Sequence, residues 1–74
     1  MTKILISSDN PKGIKLEILL DHVRGDLMQR CAHIVDDPRP DSVIVLRNNI
    51  EIMGLLGQCL ERAHESAKAL KRLG

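Results

Sequence analysis

A five-residue breaker, Asp36-Asp37-Pro38-Arg39-Pro40, divides this chain into two apolar runs with helical periodicity, residues 14–35 and 43–73. Two prolines that close together end any helix approaching them, because each removes a backbone donor and clashes with the preceding turn. The pattern predicts an all-α fold, an antiparallel helical hairpin. Two helices cannot enclose a core between them, so the surplus apolar surface further predicts a homodimeric four-helix bundle. The expected organisation is a short extended N-terminal arm or strand over residues 1–10 and a hairpin domain over 11–74. Within that domain the expected elements are a helix over about 11–36, a turn at 37–40 and a helix over about 40–73.

In the first run Leu16, Leu20, Val23, Leu27, Cys31 and Ile34 recur at spacings of four and three, which marks one buried face. Asn10 is placed to cap this helix, with Pro11 in its first turn. Asp26 and Arg30 are spaced for a surface ion pair. In the second run Leu46, Ile50, Met53, Leu60 and Ala67 share a line, with Ile52, Leu56, Cys59, Ala63, Leu70 and Leu73 beside it. The polar residues Arg47, Glu51, Gln58, Arg62, Glu65 and Arg72 hold the same period, which argues for one long helix. The expected core or dimer interface is therefore Leu16, Leu20, Val23, Leu27, Leu46, Ile50, Met53, Leu56 and Leu60.

Val43-Ile44-Val45-Leu46 is also a β-branched run that could form a short buried strand. Paired with Lys3–Ser7 it gives the alternative, a βαβα chain, and two such short strands again require a dimer. On the helical reading the second helix outruns the first, so Ile4 and Ile6 of the arm are expected to cover Ala67, Leu70 and Leu73 or to pair with a second subunit's arm. Gly25, Gly54 and Gly57 each cost a helix about 1 kcal/mol relative to alanine. A close approach of the two helices at Gly25, opposite Glu51 to Gly54, is the expected compensation.

Composition narrows the function classes. Phe, Tyr and Trp are absent, so no ring is offered for base stacking. The formal net charge of +1 adds no electrostatic attraction for nucleic acid or an anionic membrane. Cys31 and Cys59 have no close-spaced partner, which argues against a disulfide framework and for a reducing cytoplasm. The opening Ile4-Leu5-Ile6 is too short for a signal peptide, and no continuous run approaches the roughly 20 apolar residues of a membrane span.

Glu61 and His64 have the Glu-x-x-His spacing of dinuclear metal bundles, making them the candidate metal ligands. Glu17, Asp21 and Asp26 are the carboxylates available on the facing helix. His64-Glu65 with Lys68 invites comparison with phosphorelay histidines. Histidine phosphotransfer domains carry a lysine three residues after the histidine and then a glycine, where this chain has Ala67 and Lys68. Sensor-kinase hairpins follow His-Glu with a hydrophobic residue, Arg, a polar residue and Pro, where this chain has Ser66-Ala67-Lys68-Ala69. The resemblance ends at the histidine and its glutamate. His22 with Asp26 and His33 with Asp37 are spaced as surface pairs, and the basic end Lys68 to Arg72 suits a helix C-terminus. In architecture alone the expected dimer resembles the ROP-type hairpin dimer, which binds RNA on a helical face. The expectation is a small cytoplasmic regulatory or adaptor protein without enzymatic activity or cofactor, acting on itself and a protein partner. A nucleic-acid-binding dimer, a metal site and a phosphoryl-accepting His64 stand as alternatives.

Overall fold

The computed structural model of the protein describes residues 3–74. Helix α1 spans Leu16–Ile34 and α2 spans Pro40–Leu73, and the two pack as a hairpin. At 1.5 Å per residue α2 is about 51 Å long, which matches the long axis of the 51 × 26 × 16 Å molecule. The radius of gyration is 15.9 Å, whereas a compact chain of this length has about 11 Å. The hairpin is a slender rod.

The two helices meet along a heptad seam. Leu20, Arg24, Leu27, Cys31 and Ile34 are among the less exposed positions of α1, and Leu46, Asn49, Met53, Leu56, Leu60, Ala63 and Ala67 among those of α2. Steps of four and three keep such positions on one line. Burial peaks where α1 begins to cover the second half of α2: Leu60 is 7% exposed and Ala63 4%, and these two form the buried core among the described residues. Of the expected interface residues Leu20, Leu27, Leu46, Met53 and Leu56 are half-buried. Leu16, Val23 and Ile50 remain open on the single chain. Val23 yields its place in the seam to Arg24, because the seam of α1 runs one position C-terminal to the apolar line at that turn.

Residues 43–46 lie within α2, and no strand occurs among the described residues, so the βαβα alternative is overturned. Pro40 starts the helix at its first position, where a missing donor is harmless. Asp37 builds the turn. Its Oδ1 accepts the backbone N–H of Arg39 at 3.0 Å, bending the chain around Pro38. Its carboxylate also receives the Arg39 guanidinium, with Nε at 3.0 Å and Nη2 at 2.6 Å from Oδ2. The Arg39 side chain and backbone hydrogen bonds hold the Asp37 carboxyl well below the usual carboxylate range, and the same pairing raises Arg39. A depressed carboxyl contributes stability above its unfolded-state pKa and loses it as pH falls through the folded-state value. Asp37→Asn is therefore expected to lower the thermal midpoint near neutral pH. In pH-dependent melts the deficit should shrink only at the acid extreme, and a deficit that grows on acidification contradicts this turn.

The start of the first helix departs from expectation. α1 begins at Leu16 rather than near residue 11, it ends at Ile34 rather than 36, and Lys15 precedes it without a side-chain cap. Asn10 is occupied elsewhere. Its side-chain amide donates to the carbonyls of Lys3 at 3.0 Å and Leu5 at 2.9 Å. Backbone bonds from Ile6 N–H to Ile14 O at 2.9 Å and from Ile14 N–H to Ile4 O at 3.0 Å close the same loop. Residues 3–14 thus fold back on themselves, while Met1 and Thr2 of the expected arm lie outside the described residues. Gly13 makes the closure possible, because a Cβ there falls 2.5 Å from the Leu5 carbonyl carbon and 2.6 Å from the Ile6 nitrogen.

The expected close approach at the helical glycines is not present. A Cβ on Gly25 or Gly54 meets nothing within 4 Å, and one on Gly57 meets only the end of Arg24, 3.8 Å away. The expected Asp26–Arg30 pair is also not formed. Arg24 pairs instead with Asp21 at 3.4 Å and Arg62 with Glu65 at 3.2 Å, both on the surface.

Candidate interaction surface

The chemical candidates are dispersed. His64 shares a shallow surface cleft with Glu17, Ile18, Asp21 and His22, so the hairpin does bring α1 carboxylates towards it. Glu61 lines a different cleft, with Leu55, Gln58, Cys59 and Arg62. The Glu-x-x-His spacing therefore does not deliver both side chains to one point. Among the described residues no three His, Cys, Asp or Glu side chains are grouped to hold a metal. His33 has no carboxylate waiting at Asp37, which Arg39 occupies. Cys31 is a half-buried thiol of the seam and Cys59 an exposed one. Glu17 and Asp21 were the facing-helix carboxylates the sequence offered; that His22 joins them beside His64 and Asp26 does not depends on where α1 starts and on the register of the two helices.

At the open end of the hairpin Ile6, Leu16, Ala63, Ala67 and Leu70 line a groove of about 270 Å³. Lys15, Glu17, Ser66 and Lys71 complete its lining. Ile6 shares this groove with Ala67 and Leu70, but Leu70 stays 65% exposed and Leu73 84%, so the N-terminal segment does not cover them as expected. The volume is slightly below the usual 300–1,000 Å³ of small-molecule pockets. A wider surface cleft beside the turn, lined by Ile34, Arg39, Pro40, Asp41, Ser42 and Val45, has its one guanidinium already paired to Asp37.

An exposed apolar line runs along α2. Val45 is 48% exposed, Ile52 42% and Leu55 59%, and Cys59 is exposed too. These four stand seven, three and four residues apart, so they form a second line beside the seam that faces α1. Continued at the same steps, the line contains Val45, Asn48, Ile52, Leu55, Cys59, Arg62, Ser66, Ala69 and Leu73. A helix with two adjacent heptad lines is built to contact two neighbours, and within one chain α2 has one. A search of protein-family models, curated proteins and solved structures finds no match to this chain.

Proposed function

We propose that this chain is a small cytoplasmic regulatory or adaptor protein that works through helix-mediated self-association and protein contact, not through catalysis. One observation carries the reading: the single chain exposes 6264 Å², while compact monomers of this mass expose about 4,600 Å². The excess of about 1,700 Å² is roughly twice what one partner contributes to a standard protein interface. Much of it is aliphatic, and its exposure to water is unfavourable by roughly 25 cal/mol per Å².

By length and composition alone α2 is also apolar enough to cross a membrane. Its apolar half, however, carries Arg47, Asn48, Asn49, Glu51 and Gln58, and a charge at a bilayer centre costs about 2.5–3.5 kcal/mol. Association in water buries the aliphatic line and leaves the charged Arg47 and Glu51 at its solvated edge, which favours the soluble reading. The test is light scattering coupled to size exclusion, with thermal melts across a concentration series. A dimer mass and a midpoint that rises with concentration are expected, because stability is linked to association. A well-folded monomer at micromolar concentration overturns the proposal.

A further inference from the structure

We infer that the second copy docks on the outer line of α2, antiparallel to it, about a two-fold axis beside position 57. This rests on the self-association reading and commits it to one surface and one register. An isologous contact must pair the line with itself. With the axis at position 57, Leu55 meets the partner's Cys59, Asn48 meets the partner's Ser66, and Val45 meets the partner's Ala69. At these three levels polar lies against polar and apolar against apolar. Ile52 lies against the stem of the partner's Arg62, a side chain suited to covering apolar surface while its head stays in water.

Charge complementarity selects this register. Glu51 and Arg62 are eleven residues apart, about three turns, so they share one edge of α2 but sit too far apart to touch within a chain. Reversing the helix about position 57 brings Glu51 within one residue's rise of the partner's Arg62, twice per dimer. Arg47 likewise falls within two residues of the partner's Glu65. In the single chain Arg62 is held only by Glu65 at 3.2 Å, with 83% of its side chain exposed, so it is free to re-pair. Shifting the axis half a heptad towards the N-terminus puts Arg62 against the aliphatic Val45 and separates Glu51 from any cation, whereas the same shift towards the C-terminus sets Asn48 against the partner's Leu73 and carries Val45 past the end of the partner's α2. The area agrees as well, since an interface of standard size takes about 800 Å² from each chain, half of the excess surface.

The experiment measures the dimer dissociation constant by analytical ultracentrifugation, with circular dichroism reporting helicity for every variant. Leu55→Glu places a carboxylate in the centre of the contact and is expected to weaken dimerisation by about 100-fold or more. Glu51→Arg and Arg62→Glu should each weaken it about tenfold, through two like-charge pairs per dimer. The double variant Glu51→Arg/Arg62→Glu should recover to within about threefold of the parent. Recovery cannot come from folding, because the two residues do not meet inside one chain. If Leu55→Glu loses helicity together with association, the two exposed charge variants still decide. A wild-type dimer that ignores all these substitutions, or single charge variants that the double one does not rescue, overturns this geometry and leaves self-association standing. A wild-type monomer overturns both.

Discussion

Leu60→Ala should destabilise the protein by about 2–5 kcal/mol, the usual range for truncating a buried leucine. Leu60 is 7% exposed and faces α1 where the seam is best covered, so the cavity has few neighbours able to collapse into it. A single core at this chain length supplies only about 3–5 kcal/mol, and the loss is therefore a large share of the total. Urea melts of the dilute protein should show a midpoint shifted far to low denaturant. Leu20→Ala, at a half-buried position, should lie at the lower end of the same range. Arg47→Ala, on the solvated stripe, should move stability by less than about 0.5 kcal/mol. Equal shifts at Leu60 and Arg47 contradict the packing.

Ala63→Asp should be at least as damaging. Ala63 is the least exposed side chain of the core at 4%, and it lies one turn from Leu60 on the line that meets the beginning of α1. A carboxylate there is taken from water into the contact with α1, a change that costs several kcal/mol unless the group takes up a proton. The expected result is loss of most helicity near neutral pH, with partial recovery on acidification as the side chain becomes neutral. Ala63→Ser, which adds one hydroxyl able to bond back to its own helix, should be far milder. Circular dichroism as a function of pH reads both variants, and unchanged helicity in Ala63→Asp places the core elsewhere.

The two helices were legible because their causes are local. Periodicity in steps of three and four, Pro38 and Pro40 as breakers, and a polar stripe running the length of the second run predicted α2 over 40–73, and α2 spans Pro40–Leu73. The strand propensity of Val43 to Leu46 yielded because those four residues continue a helical period that their neighbours on both sides already share. β-propensity is a statement about half-buried sheet surfaces, and no sheet exists here to receive them. The start of α1 was not legible in the same way. Asn10, Pro11 and Gly13 read equally as a helix start or as a turn, and the choice went to the turn because the Asn10 amide finds two carbonyls at Lys3 and Leu5. Those acceptors lie five and seven residues back, beyond any helix-capping pattern.

Sequence alone determined that this chain is two helices of unequal length, that they reverse at the breaker Asp36 to Pro40, and that they carry more aliphatic surface than one hairpin covers. Tertiary structure decided which apolar positions face inward. The seam took Arg24 in place of Val23 and left Ile50 open, because a heptad line across two packed helices is narrower than the apolar arc of either. It also separated Glu61 from His64 into different clefts, since whether two side chains three residues apart converge depends on which edge of the helix the partner covers. Spacing is a property of one helix, whereas burial and convergence belong to the pair, and only their register assigns them.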